Sequence, residues 1–143
     1  MDEIHVCVAV VVWDDLGRVL LVKRSKPPRA GAWTLPGGGV EFGELLLDAA
    51  ARELREETAL SASSLRPIGT NEYLGEGFHL VIGIYEAIVH PGSPAAGDDA
   101  MDILWAKEED IGNLDATQQL IAEALAGSRQ SGVGSTKARL LDE

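Results

Sequence analysis

The sequence is poor in cysteine, aromatic residues and basic residues, with one Cys, three Trp, two Tyr, two Phe and twelve Lys and Arg among 143 positions. A single cysteine, Cys7, excludes an intramolecular disulfide, and its place in an apolar run predicts a buried thiol without a chemical role. No apolar run reaches the roughly 20 residues that a membrane-spanning helix needs. The first residues, "MDEIHV", are acidic where a signal peptide is basic. We therefore expect a cytoplasmic protein without a membrane segment.

Acidic residues outnumber basic ones by 23 to 12, and the net charge is -11. Such a surface repels phosphates, which argues against general binding to nucleic acid polymers or to anionic lipid membranes. If the substrate is itself anionic, bound divalent cations are the obvious means of reversing the local field.

Hydrophobic patterning predicts a mixed order of strands and helices. Strands are predicted at residues 4–13, 19–25, 64–75, 78–89 and 101–106. Helices are predicted at 45–58 and 115–126, the second with Asp115 as its N-cap, and the Pro- and Gly-rich stretches 26–39 and 90–100 are predicted to be loops. The first two strands are hydrophobic almost throughout, which is typical of strands buried on both faces. The expected fold class is α/β (α+β), with helices on each face of a central sheet.

The length of the chain predicts a single domain, which we place at residues 1–127. From Gly127 the sequence reads "GSRQSGVGSTKARLLDE", which is polar and rich in Gly and Ser. Such composition buries little apolar surface, so residues 128–143 are predicted to form a polar C-terminal tail.

Three carboxylates crowd into "RELREETAL", which begins at Arg52. At about 100° per residue, Glu53, Glu56 and Glu57 span an arc of roughly 100° beside the buried face of the predicted helix. Like charges at i,i+4 and anions near a helix C-terminus are both unfavourable. One interpretation is a solvated charged face; the one we favour is a site for a hard cation such as Mg²⁺. The predicted buried face comprises Leu47, Ala50, Ala51, Leu54 and Thr58.

Three consecutive glycines follow Pro36 in "LPGGGVEFGE", just before this helix. Because they lack Cβ atoms, the backbone can come close to a ligand or to the helix. A glycine-rich loop alone is a weak signal, but a helix with acids at set distances behind it makes the signal much stronger.

Together these residues resemble the Nudix box of the Nudix hydrolases, G-x5-E-x7-R-E-U-x-E-E-x-G-U, where U is apolar. The one departure is Ala59, where the pattern has Gly at what would be a left-handed helix cap; alanine there is expected to cost on the order of 1 kcal/mol. The resemblance is specific over residues 33–60 and implies the family's α/β/α sandwich with a central mixed β-sheet. The positions that agree are Gly38, Glu44, Arg52, Glu53, Leu54, Glu56, Glu57 and Leu60.

The resemblance also implies roles for these residues. Mg²⁺, with Mn²⁺ as a substitute, would be held by the backbone at Gly37 and by the three helix carboxylates Glu53, Glu56 and Glu57. Arg52 and Glu44 would form an orienting pair, and in some members the acid at the Glu44 position also serves the site.

The implied reaction is hydrolysis of a phosphoanhydride bond in a nucleoside diphosphate linked to another group. The group that accepts the proton from water stays open between a glutamate of the helix and an acid of the later segment "AGDDAMD", for which a flexible acidic turn is the alternative. That segment offers Asp98, Asp99 and Asp102, of which Asp99 is our candidate.

Substrate contacts are predicted for the backbone at Gly37 and Gly38. One basic residue before this glycine loop is predicted to contact phosphates, with Arg24 preferred over Lys26 and Arg29. Trp33 either stacks on a base or packs in the core. Because "AGDDAMDILW" resembles bacterial ADP-ribose pyrophosphatases, we favour ADP-ribose or a nucleotide sugar as the small-molecule substrate. The alternatives are a MutT-like pyrophosphatase of oxidised or ordinary nucleoside triphosphates and a non-catalytic nucleotide-sensing domain. Dimerisation is common among similar proteins, although no stripe in this sequence demonstrates an interface.

Overall fold

The computed structural model describes residues 3–27, 29–97 and 100–129. Its strands are β1 (Ile4–Val12), β2 (Arg18–Arg24), β3 (Trp33–Thr34), β4 (Gly37–Gly39), β5 (Ala62–Gly75), β6 (Phe78–Val89) and β7 (Ala100–Lys107). Its helices are α1 (Leu46–Thr58), α2 (Glu108–Ile111) and α3, residues 118–129. Within this part of the chain no helix is both long and apolar enough to cross a bilayer.

The strands form two sheets. The larger is mixed and has the order β4-β1-β6-β5, in which β1 and β6 run parallel while the other neighbours are antiparallel. The smaller is antiparallel and has the order β3-β2-β7. The parallel pairing places the starts of β1 and β6 at the same end of the larger sheet.

Alternating side chains of the central strands build one core on each side. Even-numbered residues of β1, such as Val10, pack with Leu54 of α1. Odd-numbered ones, such as Val11, pack with Ile121 and Leu125 of α3. Because side chains alternate across a strand, burial on both faces explains why β1 and β2 are hydrophobic almost throughout. The predicted fold class, a mixed sheet between helices, is confirmed.

Residues 26–39, predicted to be loop, contain β3 and β4. The glycine strand β4 pairs with β1, with Gly37 opposite Ala9. A Cβ atom on Gly37 would lie 2.1 Å from the carbonyl oxygen of Val8, so only glycine permits this approach. The Gly- and Pro-rich composition therefore predicted a loop where the chain forms β4, a strand that can pair with β1 only because its residues lack side chains.

The C-terminal helix begins and ends later than predicted. Asp115 is not its N-cap, because its side chain pairs with Arg29 and the next residue, Ala116, bridges to Trp33. At the other end, α3 includes residues 127–129, and Ser128 is buried where it accepts a hydrogen bond from Trp13 Nε1. Helix α3 therefore extends two residues past the predicted domain boundary at residue 127, and the polar tail itself stays a prediction. Residues 130–143 lie outside the described part of the chain.

The buried face of α1 is rotated slightly from the prediction. Ala50, Leu54 and Thr58 are buried as predicted. Ala49 is buried as well, whereas Ala51 is half-buried and Leu47 is 44% exposed. Rotation about the helix axis alone placed Leu47 near Leu54.

Ala59 ends α1 in the left-handed conformation, with φ 65° and its N–H bonded to the Arg55 carbonyl. We expect Ala59→Gly to raise the free energy of unfolding by about 0.5–1 kcal/mol, because glycine adopts positive φ without a steric penalty. Urea unfolding measures the change. Ala51→Gly, inside the same helix, is the matched control and should lower stability by a similar amount. A destabilised Ala59→Gly variant would contradict the expectation.

Candidate active site

Two of the three helix carboxylates meet the glycine strand. The N–H of Gly37 donates to Glu57 Oε1 at 2.9 Å. A Cβ atom on Gly38 would lie 2.4 Å from Glu53 Oε2 and 2.6 Å from Glu53 Cδ. The carboxylate of Glu53 thus occupies the space that any side chain at position 38 would fill, and β4 seats both acids.

Arg52 uses all five of its N–H donors, four on carboxylates and one on a backbone carbonyl. Nε and Nη2 bind the two oxygens of Glu44 at 2.8 and 3.0 Å, in a bidentate pair. Nη1 donates to Glu53 Oε2 at 3.0 Å and to Glu56 Oε1 at 3.1 Å, and Nη2 also donates to the Gly39 carbonyl at 3.0 Å. The structure therefore brings together Arg52, Glu44, Glu53 and Glu56. Because every N–H of its planar guanidinium is used, Arg52 both orients these carboxylates and balances part of their charge.

The guanidinium of Arg52 and the N–H of Glu41 hold the pKa of Glu44 at about 2, below its ordinary 4.5. The hydrogen bond to Glu44 in turn raises the pKa of Arg52. Because the folded state lowers the pKa of Glu44, the pair stabilises the protein above about pH 4.5, and this contribution is lost as pH falls towards 2.

We therefore expect the stability difference between the wild type and Glu44→Gln to shrink as pH falls from 5 towards 2. Urea unfolding of both proteins across that range measures it. Glu76→Gln, which removes an exposed carboxylate from the β5–β6 turn, is the control for net charge. A wild-type advantage over Glu44→Gln that stays constant across the range would contradict the role of the ion pair.

The donor set fits a hard divalent cation in its chemistry, because it consists of carboxylate oxygens seated where glycines leave room for them. The side chains of Glu53 and Glu56 are turned towards Arg52 in this structure, and Glu56 is 40% exposed. Among residues 3–27, 29–97 and 100–129, no three acidic, His or Cys side chains already lie close enough together to hold an ion.

The loop after β6 is fixed to the last turn of α1. Ala95 donates its N–H to the Thr58 carbonyl at 2.8 Å, and Gly97 donates to the Glu57 carbonyl at 3.1 Å. A Cβ atom on Gly97 would lie 2.6 Å from the Glu56 carbonyl oxygen. These bonds satisfy helix carbonyls that would otherwise lack partners. Sequence reasoning missed Gly97, whose only signal was a glycine directly before two aspartates.

The predicted loop acids are only partly described. Asp98 and Asp99 lie outside the described residues. Asp102 lies in β7 opposite Lys23, and its Oδ1 accepts a hydrogen bond from the N–H of Ile103. The role of Asp99 as proton acceptor therefore stays a prediction.

The two predicted substrate contacts outside the glycine strand lie on the smaller sheet. Arg24 ends β2 opposite Ala100, where β7 begins. Trp33 is half-buried against the α3 core, and Lys23 Nζ lies 5.7 Å from the centre of its ring. This environment matches the packing alternative for Trp33, while base stacking by Trp33 and phosphate binding by Arg24 stay predictions.

The sequence of this chain matches a known protein family. The family model described as NUDIX domain matches residues 3–125, which include every candidate residue above. The chain belongs to the NUDIX domain family. The glycine strand and the acids of α1 are the parts of this NUDIX domain that correspond to the Nudix box.

Three relatives illustrate the similarity. A Methanocaldococcus jannaschii protein named ADP-ribose pyrophosphatase is 35% identical over 115 residues, which make up 78% of this chain and 66% of that protein. A Danio rerio protein named oxidized purine nucleoside triphosphate hydrolase is 39% identical over 85 residues, 58% of this chain and 54% of that protein. A MutT NUDIX hydrolase from Burkholderia pseudomallei has a crystal structure that matches with a TM-score of 0.68 at 29% identity, covering 73% of this chain and 83% of that one. The chain spans between about half and two thirds of the length of these two curated relatives.

Proposed function

We propose that this NUDIX domain is a Mg²⁺-dependent hydrolase that cleaves a phosphoanhydride bond in a nucleoside diphosphate derivative, with ADP-ribose or a nucleotide sugar as the preferred substrate. The observation that carries the proposal is the seating of Glu53 and Glu57 against the glycines of β4, with Arg52 holding Glu44, Glu53 and Glu56 beside them. A solvated charged helix face would need neither contact.

The residues of the site have separate roles in the proposed reaction. Glu53, Glu56 and Glu57, with the backbone at Gly37, would hold the ion, for which Mn²⁺ is a substitute. A divalent cation supplies charge neutralisation at phosphate oxygens and a lower pKa for an attacking water. Arg52 and Glu44 position the helix carboxylates. The proton of water passes to a carboxylate, which is either a glutamate of α1 or an acid of the loop after β6.

The charge of the chain supports metal dependence. At a net charge of -11, the protein repels a nucleoside diphosphate unless cations are bound near the acids. Cations that bind first or together with the substrate remove this repulsion at the place where the phosphates must lie.

The preference for ADP-ribose is supported by the archaeal relative, whose similarity covers 78% of this chain. The second candidate, a pyrophosphatase of oxidised nucleoside triphosphates, is supported by the zebrafish relative, whose similarity covers 58%. A nucleotide-sensing domain without catalysis is a third candidate, but mere binding would not need every carboxylate of the box.

A substrate panel tests the proposal. ADP-ribose, nucleotide sugars, dinucleoside polyphosphates and 8-oxo-dGTP are each incubated with Mg²⁺, with Mn²⁺ and with EDTA. We expect the highest kcat/KM for ADP-ribose or a nucleotide sugar, and no turnover in EDTA. A higher kcat/KM for 8-oxo-dGTP would favour the second candidate, and no turnover of any compound with either metal would overturn the hydrolase proposal.

A further inference from the structure

Glu57 of α1 is held at both of its ends. Its carboxylate accepts a hydrogen bond at 2.9 Å from the N–H of Gly37 in the glycine strand β4. Its backbone carbonyl accepts a second hydrogen bond, at 3.1 Å, from the N–H of Gly97 in the loop after β6. Two segments that are distant in the chain therefore fix the position of one residue of the candidate site.

The loop after β6 completes the hydrogen bonding of the last turn of α1. An α-helix leaves its last four carbonyl groups without partners inside the helix. Ala95 supplies a partner for the final carbonyl, that of Thr58, through an N–H at 2.8 Å. Gly97 does the same for the carbonyl of Glu57. The same turn carries the carboxylates of Glu56 and Glu57, so this loop helps to hold the acids in place.

No side chain fits at position 97. A Cβ atom on Gly97 would lie 2.6 Å from the backbone carbonyl oxygen of Glu56. The φ angle of Gly97 lies outside the left-handed region, so this contact, and not the backbone conformation, requires glycine. Because the atom in the way belongs to the backbone, either the helix turn or the loop must move. Movement of the turn shifts Glu56 and Glu57, and movement of the loop leaves the carbonyl of Glu57 without this partner.

The loop is also fixed on the other side of Gly97. The carbonyl of Gly97 accepts a hydrogen bond at 3.0 Å from the N–H of Ala100. Ala100 begins β7, where it lies opposite Arg24. Gly97 is therefore bonded to α1 through its N–H and to the first residue of β7 through its carbonyl, so the loop cannot move away from the helix without a change at one of these bonds.

We propose that Gly97 is a positioning residue for the divalent cation, because its contacts with Glu56 and Glu57 hold the last turn of α1 where the carboxylates of these residues can bind the ion. The inference rests on the proposed function for the identity of the ion. Gly97 acts through the helix and not by contact with the ion. Replacing a residue that orients metal ligands typically costs about 10–100-fold in metal affinity or activity.

Binding of Mn²⁺ to the full chain, measured by electron paramagnetic resonance without substrate, tests the proposal. Gly97→Ala should raise the Mn²⁺ Kd by about 10–100-fold. Gly92→Ala is the matched control, since it adds the same methyl group in the same loop, where the nearest atom, Leu60 Cδ2, would lie 3.9 Å away. It should keep the wild-type Kd. An unchanged Kd in Gly97→Ala, or an equal rise in Gly92→Ala, overturns the proposal.

Ile121→Val separates positioning from a general loss of stability. Ile121 is buried in the core beneath α3, on the face of the larger sheet that α1 does not cover. The loss of one buried methyl group there lowers stability without a change at the acids. Ile121→Val should therefore keep the wild-type Mn²⁺ Kd. A rise as large as that in Gly97→Ala would mean that lower stability alone weakens binding, which overturns the proposal.

Ala95→Pro provides a second variant should circular dichroism show that Gly97→Ala does not fold. Proline removes the N–H that binds the Thr58 carbonyl and leaves position 97 unchanged. It should raise the Mn²⁺ Kd in the same direction, because the same turn of α1 loses a partner. A folded Ala95→Pro variant with the wild-type Kd overturns the proposal in that case.

Because the titration contains no substrate, it also distinguishes this inference from the proposed function. A wild type that binds Mn²⁺ but hydrolyses no compound of the substrate panel overturns the proposed hydrolysis alone. A wild type that hydrolyses ADP-ribose, with a Gly97→Ala variant that binds Mn²⁺ equally well, overturns the role of Gly97 alone. A wild type that binds no Mn²⁺ overturns both.

Discussion

Replacing Glu57 by glutamine is expected to lower kcat by at least about 10²-fold while the fold stays intact. The side chain accepts a hydrogen bond from Gly37 through Oε1, and the amide oxygen of glutamine can accept the same bond. The geometry at β4 is therefore preserved, whereas the negative charge that would hold a cation under the proposed function is lost. Steady-state kinetics with saturating Mg²⁺ measure the effect, and thermal unfolding reports on the fold.

Glu109→Gln is the matched control for this substitution. Glu109 lies in the first turn of α2, on an exposed surface, and its loss changes the net charge by the same amount. We expect wild-type turnover in that variant. If Glu57→Gln also turned over substrate at the wild-type rate, the acids of α1 would instead form a solvated charged helix face.

Gly38→Ala is expected to lower kcat by about 10–10²-fold with a smaller effect on stability. The added Cβ atom would lie 2.4 Å from Glu53 Oε2, so the carboxylate must move. The displaced group is the end of a side chain, which can rotate away, and the backbone of β4 need not shift. Misplacement of a catalytic group by about 1 Å can cost 10²-fold in rate.

The neighbouring glycines supply two controls of opposite outcome. A Cβ atom on Gly39 would meet nothing within 4 Å, so Gly39→Ala should retain both activity and stability. A Cβ atom on Gly37 would lie 2.1 Å from the Val8 carbonyl oxygen, so Gly37→Ala should disrupt the pairing of β1 with β4 and destabilise the protein. If Gly38→Ala and Gly39→Ala were equally active, the position of the Glu53 carboxylate against Gly38 would not matter for activity, which would contradict this role of β4.

The hydrophobic pattern of the sequence predicted the long helices and strands, because the residues that they bury are visible in their composition. The run of buried valines in β1 follows from helices on both faces, and α1 follows from a segment without Gly or Pro. The strand β4 could not be predicted in this way, since three glycines carry no hydrophobic signal and pair only because β1 comes close. Tertiary contact, not propensity, determines that element.

The candidate site was predicted as a set of residues but not as a set of contacts. The Nudix box gave Arg52 and Glu44 as a pair, and the structure joins them by two hydrogen bonds. Helical spacing gave Arg52 and Glu56 as an i,i+4 pair, which the structure also contains. The box did not give the bond from Arg52 to the Gly39 carbonyl, which depends on where β4 lies beside the helix. Leu47 was likewise predicted to be buried from its rotation about the helix axis, but it is 44% exposed.

Under the proposed function, the three acids of α1 work with a divalent cation to hydrolyse a phosphoanhydride. The most direct test compares Mg²⁺-dependent turnover of the wild type with that of the triple variant Glu53→Gln, Glu56→Gln and Glu57→Gln, whose fold is checked by circular dichroism. We expect turnover that saturates with Mg²⁺ in the wild type and no turnover in the folded triple variant. Turnover by the wild type without any divalent ion, or equal turnover by the triple variant, would contradict it.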